Sequence, residues 1–211
     1  MKTEDLIHAL AEDRPPKTSF RRLCRLALLA AFAFAALSFA LTIGPRPDFA
    51  SAVTTVRFDF KFVVTLTLAA SAAFLVLRLA TPGASVGRRG LVLLIAPALL
   101  AVACLAELAV MPQATWLPRL IGENSRLCLT IIPLLSIGPL ALILLVLRQG
   151  APTRPALAGA AAGLLASGIA ATFYAANCTD DSPLFVMTWY PMAMAMVTAV
   201  GALIGSRLLR W

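Results

Sequence analysis

Two cysteines with acidic neighbours are the residues of this chain whose type and spacing could do chemistry. Cys178 lies in a short polar stretch that also holds Asp180 and Asp181 and separates two long apolar runs. Cys128 follows Glu123 at the start of another apolar run. Two such thiols can form a structural disulfide, bind a soft cation with carboxylate support, or become oxidised. All three interpretations stay open, with the three carboxylates as candidate oxygen partners.

Other residue patterns disfavour the common enzyme sites. The only histidine, His8, precedes all the apolar runs, which disfavours a zinc site of His and Cys at the cysteines. The sequence has no Cys-x-x-Cys pair, no phosphate-binding Gly loop and no Ser-His-Asp set. It therefore predicts a non-enzymatic protein without a resident cofactor, in which any soft metal binds transiently at Cys128 and Cys178. A small membrane transporter and a quinone-linked thiol oxidoreductase are the alternatives.

Composition predicts an all-α, polytopic membrane protein. Hydrophobic residues make up 60% of the 211-residue chain, charged residues 13%, and the mean hydropathy is +0.88. A helix that crosses a bilayer needs about 20 apolar residues, whereas the alternating pattern of barrel strands is missing. Six apolar runs of this length predict six transmembrane helices in a domain of residues 23–211, namely 23–43, 62–80, 91–110, 127–147, 156–176 and 185–205.

Charge asymmetry predicts the orientation. Most of the 18 Lys and Arg residues fall on the side that holds both termini, whereas the other side holds Arg46, Arg57, Lys61, Arg119 and Arg126. Basic residues accumulate on the cytoplasmic side of membrane proteins. We therefore expect both termini in the cytoplasm and the two cysteine loops on the outer side, which is an oxidising compartment if the membrane is a bacterial inner membrane. The net charge of +8 is then a topology signal and predicts no direct nucleic-acid binding.

Residues 1–22 form the only substantial cytoplasmic segment. We expect residues 3–13 to form a short helix, because Glu4 and Asp5 suit the positive end of a helix dipole and prolines follow at 15 and 16. Leu6, Ile7 and Leu10 fall on one stripe of this helix. Such a short helix is marginal in water, and its acids would be repelled by an anionic leaflet. A frayed tail, a surface helix and a helix that docks on a protein partner are the interpretations considered.

We expect the charges and glycines in and near the spans to have structural roles. Arg57, Asp59 and Lys61 are interpreted as rim charges at the mouth of the second span. Glu107 lies three residues from the end of its run, from where its carboxylate can reach headgroups or water. Two GxxxG spacings, 159–163 and 201–205, predict close packing of the fifth and sixth spans on both sides of the Cys178 loop.

Several stretches together resemble a known family. They are the leader Met-Lys-Thr-Glu-Asp-Leu-Ile, Gly-Glu-Asn at 122–124 before Cys128, Ile-Pro-Leu-Leu at 132–135, Asn-Cys-Thr-Asp-Asp-Ser-Pro-Leu-Phe at 177–185 with the Trp-Tyr that follows, and the Leu-Leu-Arg-Trp end. The chain resembles the NrsF family, whose members are six-span membrane anti-sigma factors that negatively regulate an extracytoplasmic-function sigma factor. The resemblance covers essentially the full length and is most specific in residues 177–190.

This resemblance implies a function and a set of site residues. The N-terminal segment is expected to hold the sigma factor at the membrane, through the stripe of Leu6, Ile7 and Leu10 with Glu4 and Asp5. Cys128 and Cys178 are expected to report metal or oxidative stress. Reaction of the thiols would then shift the outer helix ends and release the sigma factor.

Overall fold

The chain folds into a helical bundle, seen in a computed structural model that describes residues 19–81, 83 and 86–210. These residues form helices and connecting turns, with no β-strand among them. Six of the helices that they form are long and apolar enough to cross a membrane. The predicted all-α, six-span fold class is therefore confirmed, and the chain is a multi-pass membrane protein.

Within the described ranges, six long α-helices and two short ones follow in chain order. In the labels used below, the helices are α1 (Phe20–Thr42), α2 (Phe49–Ala52), α3 (Val56–Leu79), α4 (Ile95–Val110), α5 (Trp116–Ile121), α6 (Ser125–Gln149), α7 (Pro155–Ala175) and α8 (Pro183–Leu208). Two 3₁₀ segments, Gly87–Leu94 and Gln113–Thr115, precede α4 and α5. The second and fourth spans begin earlier than predicted, because polar residues at their outer ends also join the helices.

Prolines explain several of these boundaries. Pro155 and Pro183 are the first residues of α7 and α8, where their missing N–H has no partner to lose. Pro97 lies in the first turn of α4 and cannot donate to a carbonyl of the preceding turn. The chain before it adopts the tighter 3₁₀ form over Gly87–Leu94.

The long helices alternate in direction, so the bundle has two distinct ends. At the cysteine end, α1, α4 and α7 finish and α3, α6 and α8 begin, and Arg46 contacts Asp181 there. At the opposite arginine end, α1 begins and α8 finishes. The carbonyl of Ala80 and the ring of Phe20 lie beside Gly150 at that end. The described chain therefore enters and leaves the bundle at the arginine end.

α7 runs through the centre of the bundle and packs most closely against α8. A Cβ atom at Gly159 would overlap the carbonyl oxygen of Gly201, and one at Gly205 would lie 2.7 Å from the Cα atom of Gly159. The two GxxxG spacings therefore bring the helix backbones into contact, as predicted. Because α7 and α8 carry the two sides of the Cys178 loop, this contact fixes where the loop begins and ends.

Candidate functional site at the cysteine end

The two predicted thiols belong to one buried cluster. Cys128 lies in the first turn of α6, where its N–H donates to the carbonyl of Asn124 over 2.8 Å. Cys178 lies in the loop between α7 and α8, and its N–H donates to the carbonyl of Tyr174 over 3.0 Å. Both side chains are 0% exposed, and both cysteines are free. Cys104, from α4, is a third free thiol of the same cluster.

Asp180 joins the Cys178 loop to the turn that precedes Cys128. Its carboxylate accepts hydrogen bonds from the backbone N–H of Asn124 at 2.8 Å, from the amide side chain of Asn124 at 2.9 Å, and from the N–H of Glu123 at 3.1 Å. These donors stand at the N-terminus of α6, where a negative charge is stabilised. The carboxylate thus holds together the two chain segments that carry the thiols.

Gly122 makes room for this carboxylate. It ends α5 with φ of 59°, a backbone conformation that side chains rarely adopt. A Cβ atom there would lie 2.8 Å from the carboxyl carbon of Asp180 and would overlap the ring of Phe185. Any other residue at 122 would therefore push the Asp180 loop away from the start of α6.

Asp181 is held by two cations from the other side of the bundle. The Lys61 ammonium lies 2.6 Å from one carboxylate oxygen, and the Arg46 guanidinium lies 2.9 Å from the other. Both cations also donate to the carbonyl oxygen of Cys178, Lys61 at 2.8 Å and Arg46 at 3.3 Å. The backbone of Cys178 is consequently fixed by charge-assisted hydrogen bonds on the side facing α3.

Two pKa shifts follow from this arrangement in the loops outside the spans. Burial raises the pKa of the Cys178 thiol, and the ammonium of Lys61 offsets part of that rise. A hydrogen bond from Arg46 lowers the pKa of Asp48, and the same bond raises the pKa of Arg46. The thiol is therefore held in its neutral form, while the Arg46–Asp48 pair stays ionised at neutral pH.

Glu107 ties a third element to the loop. Its side chain at the end of α4 accepts from the hydroxyl of Ser182 at 2.7 Å and from the guanidinium of Arg119 at 3.0 Å, with Arg57 at 3.7 Å. The residue is 4% exposed, so its carboxylate is enclosed by protein instead of reaching headgroups or water. The structural interpretation of Glu107 is retained, with an anchoring role at the residue that precedes α8.

Two tyrosines close the cluster on its membrane side. Tyr174 of α7 and Tyr190 of α8 are buried, with ring centroids 6.0 Å apart. Neither hydroxyl makes a hydrogen bond to nitrogen or oxygen within the part of the chain that the structure describes. The buried cluster that holds the thiols therefore also contains two hydroxyl groups without a nitrogen or oxygen partner among the described residues.

The structure gives the remaining predicted residues different surroundings. Glu123 is exposed, and it contacts Asp180 through its backbone N–H. The described residues contain no group of three or more His, Cys, Asp or Glu side chains arranged to hold a metal ion. The predicted docking residues Glu4, Asp5, Leu6, Ile7 and Leu10 lie outside the described residues.

Sequence reasoning missed Lys61 and Arg46. The interpretation of Lys61 as a rim charge is wrong, because its side chain is 1% exposed and pairs with Asp181. Lys61 comes one residue before the predicted apolar run, which starts at 62, so the sequence placed it outside the span. The α3 helix begins earlier, at Val56, and therefore includes Lys61. The six acids of this end already nearly balance its five basic residues, a pattern that could have indicated pairing.

Because both sulfur atoms are fully buried, an external reagent can reach them only when the loop moves. The carboxylates of Asp180, Asp181 and Glu107 each tie the loop to a different neighbour. The site can therefore keep two reduced thiols buried while these carboxylate contacts hold the loop, and expose the thiols when the contacts break.

Fold and site together define a class, a small polytopic helical membrane protein with a closed pair of thiols at one end of the bundle. The chain belongs to the NrsF family, described as negative regulator of sigma F, whose family model matches residues 10–211. The resemblance seen in the sequence is thereby confirmed.

Full-length relatives carry names of the same kind. The chain is 36% identical over 216 residues to the anti-sigma-F factor NrsF of Caulobacter vibrioides (strain NA1000 / CB15N), and the alignment covers 100% of both chains. It is 35% identical over 220 residues to the probable anti-sigma-F factor NrsF of Azospira oryzae (strain ATCC BAA-33 / DSM 13638 / PS), again over 100% of both. No solved structure matches the chain. These names describe regulators, which confirms the prediction that the chain is not an enzyme.

Proposed function

We propose that this chain is a membrane-bound anti-sigma factor that holds an extracytoplasmic-function sigma factor inactive at the membrane. The observation that carries this proposal is the family match over residues 10–211, together with full-length relatives that are named anti-sigma-F factors. The segment proposed to bind the sigma factor is residues 1–22, the longest stretch of the sequence outside the six predicted apolar runs.

The proposed orientation puts the arginine end in the cytoplasm of a bacterial inner membrane. At this end, the described residues include Arg22, Arg78, Arg148, Arg154 and Arg207, and none of them is acidic. The positive-inside rule favours that side as cytoplasmic. The thiols then face the periplasm, and the sigma factor is held through the face of residues 4–10.

The proposed signal is a reaction of Cys128 and Cys178. A two-electron oxidant would take two electrons and two protons from the thiols, leave as its reduced form, and allow one sulfur–sulfur bond to form. A soft metal ion would instead bind both thiolates and release two protons, with Glu123, Asp180 and Asp181 as the candidate oxygen partners. Either product changes the packing beside Tyr174 and Tyr190 and strains the carboxylate contacts that hold the Cys178 loop.

The energy required is within reach of this chemistry. Converting a population from 1:99 to 99:1 requires about 5.5 kcal/mol of preference for the second state. Four-ligand structural zinc sites supply about 10–16 kcal/mol in small domains, so a site of two thiolates needs to supply only roughly a third to a half of that. The reaction would therefore be sufficient to stabilise a bundle state that no longer presents residues 1–22 to the sigma factor.

A transcriptional reporter tests the sensing step. We expect Cys128→Ser and Cys178→Ser, each expressed at the wild-type level, to lose most of the induction by cadmium or diamide. The matched control is Cys104→Ser, which removes the third buried free thiol and is not a predicted sensor. Induction of both sensor variants at the wild-type level would rule out the thiol pair.

Co-purification tests the docking step. The solubilised protein should carry a sigma factor that mass spectrometry identifies. Charge reversal of Glu4 and Asp5 combined with Leu6→Ala should remove it, whereas the same reversal at Glu12 and Asp13 is the matched control. Retention of the sigma factor by the first variant would exclude this docking face.

A further inference from the structure

A cavity of about 320 Å³ opens at the arginine end, between the start of α1 and the end of α3. Its lining combines apolar side chains with two guanidinium groups and a hydroxyl, from Phe20, Phe74, Leu77, Arg25, Arg78 and Thr81. Cys24 also lines the cavity. The cavity therefore offers both an apolar surface and positive charge at the point where the chain enters the bundle.

The positive charge of this end has no acidic counterpart among the described residues. The described acids, Asp48, Asp59, Glu107, Glu123, Asp180 and Asp181, all lie at the cysteine end, where the described ion pairs are also found. The Nε atom of Arg78 is buried and makes no hydrogen bond to another described residue. A buried guanidinium nitrogen without an acceptor is costly, so this cavity favours an acidic occupant.

The remaining acids of the chain are Glu4, Asp5, Glu12 and Asp13, within the residues that precede Ser19. That segment joins α1 at Phe20, itself a lining residue of the cavity. Residues 14–18 can span roughly 17 Å when extended, which allows residues 3–13 to fold back to the cavity. Charge and chain length thus point to the same occupant.

We propose that residues 3–13 of this chain occupy the cavity when no sigma factor is bound. The negative charge of Glu4 and Asp5 complements Arg25 and Arg78 of the cavity. The apolar stripe that begins at Leu6 complements the apolar lining from Phe74 and Leu77. The inference rests on the proposed function, because the same stripe is then the sigma-binding face. Bundle and sigma factor compete for one segment, and release of the sigma factor becomes a transfer of that segment into the cavity.

α3 connects this cavity to the thiol site. The helix carries Lys61 at the cysteine end, where Lys61 contacts the Cys178 carbonyl, and it carries Phe74, Leu77 and Arg78 at the arginine end. A reaction of Cys178 that disturbs the contact with Lys61 therefore acts on the helix that forms one wall of the cavity. A shift of α3 would change the affinity of the cavity for residues 3–13.

A photocrosslinking experiment tests the occupant directly. Full-length protein with p-benzoylphenylalanine in place of Leu10 is irradiated in membranes that lack the sigma factor. We expect an intramolecular adduct on the peptide that contains Phe74 and Thr81. Added sigma factor should suppress the adduct in proportion to its binding.

Charge variants supply the matched comparison. Arg25→Glu with Arg78→Glu should reduce the adduct about tenfold, since two attractive pairs become repulsive. Arg154→Glu with Arg207→Glu makes the same charge change at the same end, outside the cavity, and should leave the adduct unchanged. Glu4→Arg with Asp5→Arg should restore the adduct in the first variant. Elution volume and thermal midpoint establish that each variant is folded.

The outcomes separate the two proposals. Adducts only with lipid or with a second copy of the chain, or equal adducts in both charge variants, would overturn the cavity assignment. An adduct that persists at a saturating concentration of sigma factor would refute the proposal that the cavity and the sigma factor compete for residues 3–13. A chain that forms the adduct but retains no sigma factor would refute the proposed function and leave the cavity assignment standing. If the sigma factor is retained and the adduct is missing, only this inference fails.

Discussion

The ammonium group of Lys61 lies 2.6 Å from a carboxylate oxygen of Asp181, in a pair that joins α3 to the loop of Cys178. The two residues are 120 positions apart in the chain, and the lysine is 1% exposed. Such a pair stabilises the fold only when further hydrogen bonds offset the loss of hydration of its charges. Here Lys61 also donates to the Cys178 carbonyl, and Asp181 also pairs with Arg46. The loop that carries the candidate sensor thiol is therefore anchored by buried electrostatics.

We predict that Lys61→Met lowers the free energy of unfolding by about 3 kcal/mol, because it leaves a carboxylate and a carbonyl with fewer donors in a buried site. The midpoint of thermal unfolding of the solubilised protein measures this change. Arg126→Met is the matched control, since Arg126 is an exposed basic residue at the same end. Equal midpoints for the two variants would show that the buried pair contributes little.

We predict that Asp180→Ala opens the loop and increases the rate at which maleimide labels Cys178 about tenfold, which corresponds to roughly 1.4 kcal/mol of local opening. The substitution removes the acceptor for the N–H groups of Glu123 and Asn124. Mass spectrometry of the labelled peptide, in a Cys128→Ser background, gives the rate. Glu123→Ala removes a neighbouring exposed carboxylate and should not change it; a similar acceleration there would contradict the assignment to Asp180.

The pH dependence of labelling should report the burial of Cys178. Burial raises the pKa of this thiol, so the thiolate is scarce at neutral pH and its fraction continues to increase at pH values where an ordinary cysteine is already ionised. The contribution of the buried neutral thiol to stability is present below the ordinary cysteine pKa and is lost as the pH rises through the raised value. We expect the labelling rate of the wild-type protein to increase up to a higher pH than that of Asp180→Ala. Coincident profiles would argue against a raised pKa.

We predict that Gly159→Val separates α7 from α8 and costs about 1–3 kcal/mol through overpacking. Any side chain at this position meets the Gly201 carbonyl, which belongs to helix backbone and cannot move alone. Thermal unfolding checks the prediction. The control is Ala160→Val, on the same helix, where the side chain lines an open cavity and two more methyl groups have room. A destabilisation of the same size at both positions would show that the α7–α8 contact is not special.

Several features were predictable because they depend on local composition. Apolar runs of about 20 residues predict spans whatever their neighbours, and the 159–163 and 201–205 spacings predict close backbone contact. Cys128 and Cys178 could be assigned to one end of the bundle because the number of spans between two positions fixes whether they share an end. The resemblance to the family rested on residues 177–190, which form the loop and the start of α8.

Other features could not be predicted, since they depend on pairs that lie far apart in the chain. Nothing near Asp180 indicates that its partners are the N–H groups of residues 123 and 124, and nothing near Glu107 indicates Ser182. The helix start at Val56 moved Lys61 from an expected rim into the protein interior.

The sequence by itself determined the class of fold, the number of spans and the end of the bundle that holds each loop, because hydrophobic length and charge act locally along the chain. Tertiary structure alone decided that the thiols are buried and that three carboxylates close the loop over them. The physical reason is that a charge can be buried only where it is paired. Here the partners come from other helices, and only the packing of the bundle decides which groups meet.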